Sequence, residues 1–111
     1  MNDDKENLEI RPKQMGRDVY ALRIYSSAGI FLANILIGPG DAINGHMDKV
    51  CRSNPEYEEE LIDLVNNLGS KLLDLFPSSH LGGKVVKNIK VSDCSDHPDG
   101  GTNKRIDAKL V

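Results

Sequence analysis

The glycines that follow an apolar segment at residues 35–47 could form a phosphate-binding loop or a simple turn. Phosphate loops of the nucleoside-triphosphatase kind need two glycines separated by four residues, then a lysine and a hydroxyl side chain. Gly40 and Gly45 have this spacing, but His46 and Met47 stand in the last two places. Because the lysine that would bind the phosphates is missing, the segment predicts a structural turn, in which glycine adopts a positive φ without strain.

A weaker form of anion binding is compatible with the same segment. Backbone amides of a turn can bind an anion without a lysine in the loop, and basic side chains from elsewhere in the chain could complete the site. The alternative hypothesis is therefore a non-enzymatic binder of a small anionic ligand or nucleotide, held in a pocket between protomers. Its ligand-binding residues would be Gly38, Gly40, Asp41, Lys104 and Arg105.

Cysteine and histidine occur in one pattern that could bind a metal ion. Cys94 and His97 form a C-x-x-H pair, and Cys51 and His80 would complete four ligands if the fold brought all of them together. Structural zinc sites usually show two such tight pairs, and this chain has one. The sequence therefore predicts no metal site and no cofactor, with both cysteines reduced.

The histidines give no complete catalytic set. Hydrolytic chemistry needs a nucleophile, a base and a group that orients the base. His46, His80 and His97 each lie near an aspartate or a serine, as composition alone would produce in polar loops, and no serine lies in a G-x-S-x-G motif. We therefore expect a protein without catalytic activity.

An acidic run opens the segment with the strongest helical pattern, residues 55–76. Its carboxylates lie at the N-terminal end of the predicted helix, where they interact favourably with the helix dipole. They could also steer the protein toward a basic protein partner, although a solvated face that only complements the dipole is the competing interpretation. The predicted partner-binding residues are Glu56, Glu58, Glu59, Glu60 and Asp63.

Composition argues against two classes of partner. The chain has 111 residues and a formal net charge of −3, and its sequence offers no continuous patch of six bases such as a duplex-binding face requires. No segment approaches the ~20 apolar residues that cross a bilayer, and the polar N-terminus has no apolar signal sequence. These features speak against duplex nucleic acid and membranes as partners and favour a cytoplasmic location.

Alternating apolar residues predict two pairs of β-strands, one pair on each side of the helical region. The first pair would form a hairpin, and the lysines of the third strand favour an edge position for it. The strands are predicted at residues 19–26, 30–37, 84–92 and 105–111. Alternation would place Phe31, Ile35 and Ile37 on one face of the second strand and turn Ile106, Ala108 and Leu110 of the last strand inward.

Two helices are predicted between these pairs of strands. Asp41 would cap a short helix in which Ile43 and Met47 recur at helical spacing, and residues 55–76 would form one long amphipathic helix. Gly69, beside the apolar stripe of the long helix, would let another backbone approach closely. The predicted fold is α+β, with a four-stranded antiparallel sheet in ββ-α-α-ββ order packed against one long and one short helix.

Residues 1–17 show no periodicity and predict a mobile N-terminal arm, whereas residues 18–111 predict a single α+β domain. The apolar strand faces and the wide helical stripe offer more apolar surface than one core needs, which favours contact with a partner or a second copy. We therefore expect a small, non-catalytic protein-protein interaction module of the inhibitor or adaptor type. It would be homo-oligomeric and dock through its acidic helix or a strand edge.

Overall fold

Six antiparallel strands form one sheet in the computed structural model, which describes residues 8–94 and 103–111. The strands are β1 (Glu9–Gln14), β2 (Tyr20–Tyr25), β3 (Phe31–Ile37), β4 (Ala42–Met47), β5 (Val86–Cys94) and β6 (Asn103–Leu110). Their spatial order is β1-β2-β3-β4-β6-β5, so that β1 and β5 lie at the two edges. The first four strands form a meander, and β6 is inserted between β4 and β5.

Three helices connect β4 to β5, and they are α1 (Val50–Ser53), α2 (Pro55–Asn66) and α3 (Leu68–Leu75). The predicted long helix is therefore interrupted at Asn67. The backbone N–H and the side-chain amide of Asn67 both donate to the carbonyl of Asp63, a local bonding pattern by which asparagine competes with helix continuation. None of the helices in the described residues is long and apolar enough to span a membrane.

Gly69 allows α3 to lie directly against the segment that precedes β5. A Cβ added at Gly69 would stand 1.6 Å from the carbonyl oxygen of Lys84. The carbonyl of Gly69 also accepts a hydrogen bond of 3.0 Å from the N–H of Gly83. The close approach expected at this glycine does occur, and the approaching backbone belongs to the chain itself.

The predicted four-stranded sheet is wrong, because two further segments form strands. One of them, Glu9–Gln14, falls within the predicted N-terminal arm and pairs with β2. The composition of this segment does not predict a strand, because Pro12 and exposed polar residues dominate it. An edge strand needs hydrogen bonds on one side only and tolerates proline there, so it can form with little apolar burial.

The second additional strand is β4, which forms where the short helix was predicted after Asp41. Ile43 and Met47 are four residues apart, a spacing that fits both one helical turn and the alternation of a strand. Gly45 lies between them on the buried face, where an added Cβ would be 3.6 Å from Ile106. Pairing with β3 and β6 therefore determines that this segment is a strand, whereas apolar periodicity alone could not distinguish a strand from a helix.

The hydrophobic core lies between one face of the sheet and the helices. Its buried side chains come from every strand except the edge strand β1 and from all of the connecting helices. They include Leu22, Ile24, Ile35, Ile37, Ile43, Met47, Leu61, Val65, Leu68, Leu72, Ile106 and Leu110. No described element packs on the other face of the sheet.

Two predictions about the C-terminal strands are confirmed. The lysine-containing strand of residues 84–92 does occupy an edge, as β5. On β6, Ile106 and Leu110 are buried and Ala108 packs against them, as the alternation predicts. The intervening residues of β6 consequently point to the uncovered face.

Candidate functional site

The uncovered face of the sheet carries its side chains in rows, because directly paired residues of neighbouring strands point to the same side. One row, which we call the basic row, consists of Arg11, Arg23, Asn34, His46, Arg105 and Ser92. A second row consists of Lys13, Ala21, Leu36, Asn44, Asp107 and Lys90. A third, shorter row consists of Ala42, Lys109 and Lys87.

Seven lysine and arginine side chains share this surface with two carboxylates, which gives a net charge of +5 with His46 neutral. Both carboxylates bind arginines, Glu9 to Arg11 at 2.8 Å and Asp107 to Arg105 at 3.2 Å. The other five bases have no carboxylate within salt-bridge distance in residues 8–94 and 103–111. We call the seven the basic face: Arg11, Lys13, Arg23, Lys87, Lys90, Arg105 and Lys109.

The basic face is assembled by strand register from residues that are distant in sequence. Its members come from β1, β2, β5 and β6, and no more than two come from any one strand. The expectation concerned one continuous patch of six bases; the sheet instead places three bases on β1 and β2 and four on β5 and β6, with none on the intervening strands β3 and β4. A run of bases along the sequence is not required for this arrangement, because antiparallel pairing places alternate residues of several strands on the same face.

Two like-charged pairs stand directly opposite each other within the basic face. Arg11 is the register partner of Arg23, and Lys87 is the register partner of Lys109. Like charges in directly opposite cross-strand positions destabilise a sheet. Glu9 offsets the charge of Arg11 in the first pair, whereas no carboxylate of the described residues lies within salt-bridge distance of Lys87 or Lys109.

Arg105 is the fifth of the six residues of the basic row, between His46 on β4 and Ser92 on the edge strand β5. Its terminal Nη2 donates to Asp107, but its buried Nε has no hydrogen-bond partner among the described residues. A buried donor without an acceptor is uncommon in folded proteins and often marks the place of a ligand or water. The Arg105 side chain as a whole is 39% exposed and can therefore contact a ligand on the surface.

Two aromatic rings extend the basic face at one end, and with Arg11 they form what we call the aromatic corner. The rings of Tyr25 and Phe31 meet edge to face, with centroids 5.6 Å apart. The Arg11 guanidinium lies 4.2 Å above the Tyr25 ring. A register shift opposite Ile24 and Tyr25 turns Leu32 into the core and places Phe31 beside Tyr25 on the uncovered side, where Phe31 is 36% exposed.

The predicted partner-binding acids lie on the helical side of the molecule, away from the basic face. Glu58 accepts hydrogen bonds of 3.0 and 3.1 Å from Lys104 and is thereby tied to β6. Glu56, Glu59 and Asp63 are exposed on α2, and Glu60 is partly buried with an interaction of its own. The five acids therefore do not form one uniform exposed patch.

The glycine segment forms a tight turn between β3 and β4. Residues Pro39–Asp41 make a 3₁₀ turn, with positive φ at Gly40 (80°) and Asp41 (62°). The Asp41 carboxylate contacts His80 Nε2 at 2.8 Å and Lys84 Nζ at 2.9 Å, which joins the turn to the segment before β5. The Lys84 hydrogen bond lowers the pKa of Asp41, against the opposing effect of partial burial.

The five residues of the alternative ligand site are not brought together. Lys104 and Arg105 are neighbours on a strand and point to opposite faces, Lys104 toward Glu58 on the helical side. Ala42, directly after the turn, pairs with Lys109, so Arg105 lies four residues farther along β6. Within one protomer, the turn amides and the two bases therefore do not converge on one pocket.

The predicted metal pattern falls partly outside the described residues, because His97 and the side chain of Cys94 are not described. Cys51 is buried in the core, and its thiol donates to the carbonyl of Leu32 at 3.6 Å. Burial raises the pKa of Cys51 to about 11, so the thiol is protonated at neutral pH. Within the described part of the chain, no three His, Cys, Asp or Glu residues are grouped to hold a metal ion.

Comparison with known proteins adds no family or relative. No protein-family model, curated protein or solved structure matches the chain. The chemistry of the uncovered sheet face is therefore the basis on which a function can be proposed.

Sequence reasoning missed most of the basic face and both rings of the aromatic corner. One signal was present: Arg11 and Lys13 alternate around Pro12, as residues on one face of a strand do. On β6, Arg105 and Lys109 alternate with apolar residues in the same way. The pairing of β1 with β2, and of β6 with β4 and β5, had no counterpart in the local sequence.

Proposed function

We propose that this protein acts by binding, without a reaction of its own, and that its ligand is a polyanion that lies across the basic face. The observation that carries the proposal is the collection of seven lysine and arginine side chains on one uncovered sheet surface. Polyanions bind such surfaces because the bases displace the counterions that surround a chain of phosphates or sulfates.

The two like-charged pairs support a polyanion over a single small anion. One pair, Arg11 and Arg23, lies at the β1 edge, and the other, Lys87 and Lys109, lies at the β5 edge. Four strand intervals separate β2 from β5, or roughly 19 Å at ~4.8 Å per interval. A ligand that neutralises both pairs must span this width, which a phosphate or a nucleotide does not.

Arg105 lies on β6, the strand that also carries Lys109, and adds a base at the β5 side of the proposed site. Its Nη2 is held by Asp107 and its side chain is 39% exposed, so a ligand oxygen could approach the guanidinium from the surface. Hydrogen bonds between guanidinium groups and anionic oxygens are stronger than those between neutral groups. We therefore expect Arg105 to contribute more to affinity than any single edge base.

A protein partner on α2 remains a second candidate, because Glu56, Glu59 and Asp63 are exposed there. These acids could steer a basic partner toward the helical side. Such docking would use the side of the molecule opposite the basic face and does not compete with polyanion binding. Neutralising these three residues should weaken capture of a basic protein partner at low salt.

The test of the proposal is binding of fluorescently labelled inorganic polyphosphate, a polyanion that carries no nucleobases, measured by anisotropy at several salt concentrations. Arg23→Gln should weaken binding, whereas Lys71→Gln, which removes one exposed base from α3 on the other side, should not. The triple variant Arg23→Gln, Lys87→Gln, Lys109→Gln should reduce the slope of log affinity against log salt by about 2.

The triple variant is expected to fold, because each substituted base is exposed and two repulsive pairs are relieved. Circular dichroism and a thermal melt of each variant establish this before binding is measured. Equal weakening by Lys71→Gln and Arg23→Gln would refute the basic face as the binding surface. Absence of salt-dependent polyphosphate binding to the wild type would refute the proposed function as a whole.

A further inference from the structure

The aromatic corner is not explained by polyanion binding alone. Phosphates interact with lysine and arginine side chains and do not require aromatic rings. Tyr25 and Phe31 nevertheless lie on the same surface as the basic row and directly next to its first member, Arg11. The chain has only five aromatic residues. Leaving Phe31 at the surface gives up apolar burial that a core of this composition could use.

The position of the two aromatic rings relative to the basic row suggests what the rings contact. Tyr25 follows Arg23 by two residues on β2, so the aromatic corner is one step along the strand from the basic row. The step is ~6.8 Å for two residues of an antiparallel strand. A flat group attached to a chain that follows the basic row could therefore reach the rings.

We propose that the polyanion is single-stranded nucleic acid, with phosphates along the basic row and bases stacked on Tyr25 and Phe31; the inference rests on the proposed function. Open antiparallel sheets bind single strands in this way, since exposed rings stack on unpaired bases while lysine and arginine contact the backbone. The arrangement requires no sequence-specific hydrogen bonds, because every base has a face on which a ring can stack.

A double helix fits the same surface poorly. Its bases are stacked on each other and paired, so that their faces are not accessible to Tyr25 or Phe31. Reading a duplex usually requires an element that enters a groove, and the basic face is the flat side of a sheet bounded by β1 and β5. Duplex of the same length is therefore an arm of the test, with weaker binding expected.

The test compares labelled oligothymidine and oligouridine with an abasic strand of equal length and with the duplex, all by fluorescence anisotropy at one salt concentration. The abasic strand carries the same phosphates without bases. Wild-type protein should bind the two base-containing strands about fivefold or more tightly than the abasic strand. The comparison of oligothymidine with oligouridine distinguishes DNA from RNA as the preferred source of the same chemistry.

Two variants localise the effect to the aromatic corner. Phe31→Ala should weaken binding of the base-containing strands about fivefold or more and leave the abasic strand unchanged. Leu36→Ala is the matched control, because Leu36 is an exposed apolar residue on the same face and is not aromatic. Equal losses for these two variants would overturn the assignment of stacking to the corner.

A third variant provides a direct optical signal and guards against a folding defect. The chain has no tryptophan, so Phe31→Trp places a single indole at the corner and should retain binding. Oligothymidine should quench its emission, whereas the abasic strand and polyphosphate should not. If all of these ligands bind equally and none quenches the indole, single-strand recognition is refuted while the polyanion proposal stands. If none binds, both proposals are refuted.

Discussion

Replacing Lys109 by glutamate should make the protein more stable and a weaker binder of polyanions. Lys109 and Lys87 are directly paired across β6 and β5, and neither has a carboxylate partner among the described residues. The substitution Lys109→Glu removes a repulsion and creates an opposite-charge pair in the same place. A substitution that raises stability while it lowers polyanion affinity indicates that the replaced charge serves ligand binding and not folding.

The size of the gain follows from the cross-strand position and the exposure of both side chains. Directly opposite charges change sheet stability by about 0.2–1 kcal/mol in either direction, and solvent screening keeps exposed pairs at the lower end. Removing the repulsion and adding the attraction should together raise the free energy of unfolding by about 0.5–1 kcal/mol. For a domain of this length, the melting temperature should rise by about 2–5 °C. Lys109→Gln, which only removes the repulsion, should give about half of this.

The assay is urea denaturation followed by circular dichroism at low salt and in concentrated salt. Screening at ~1 M salt shortens the Debye length to ~3 Å, so the gain should largely disappear there. In a Lys87→Gln background the gain from Lys109→Glu should also shrink, because its cross-strand partner is absent. A Lys109→Glu protein that is less stable than wild type at low salt, or a gain that is insensitive to salt, would refute the reasoning.

Three further predictions concern the parts that hold the sheet and helices together. Gly69→Ala should lower the free energy of unfolding by about 3 kcal/mol, because its methyl group meets a backbone carbonyl at 1.6 Å; Gly38→Ala, with open space around it, is the urea-denaturation control and should change little. Asp41→Asn should destabilise the protein at neutral pH, because the carboxylate has a lowered pKa in the fold. The Asp41 carboxylate stabilises the wild type fully above the pKa of an unfolded aspartate, near 3.8, and this stabilisation is lost as the pH falls through the lower pKa of Asp41 in the folded protein. The urea midpoints of variant and wild type should therefore converge in acid. In a Cys94→Ser background, Cys51 should react with a thiol reagent only after denaturant is added, since it is buried and its pKa is raised to about 11; fast reaction of the native protein would contradict its place in the core.

The α+β class and the inward face of the last strand could be predicted from apolar periodicity, whereas the number of strands could not. Ile106 and Leu110 alternate with polar residues and are buried as expected. Residues Glu9–Gln14 form a strand through backbone hydrogen bonds to β2, and side-chain patterns carry little information about such an edge. The spacing of Ile43 and Met47 fits both a helix and a strand, and pairing with β3 and β6 stabilises the extended conformation.

The candidate site was the least predictable part, because it depends on register. Arg11 and Arg23 are twelve residues apart in the sequence and become direct neighbours through the β1–β2 pairing. Phe31 was expected on the same face as Ile35 and Ile37, and a single register shift moves it to the other side. A one-residue change in strand alignment reverses the side that a residue faces, which no local pattern specifies.

The acidic helix and the basic face lie on opposite sides of the sheet, and this separation determines how they can work together. Packed layers in proteins are ~10 Å apart, about the Debye length at physiological salt. Glu56, Glu59 and Asp63 are therefore largely screened from a ligand on the basic face, and Glu58 is already bound to Lys104. Neutralising the three exposed acids should leave polyanion affinity nearly unchanged at physiological salt and increase it only when salt is low. A nucleic acid and a basic protein partner could then occupy the two sides at once, with each surface blocked separately by substitutions that leave the other intact.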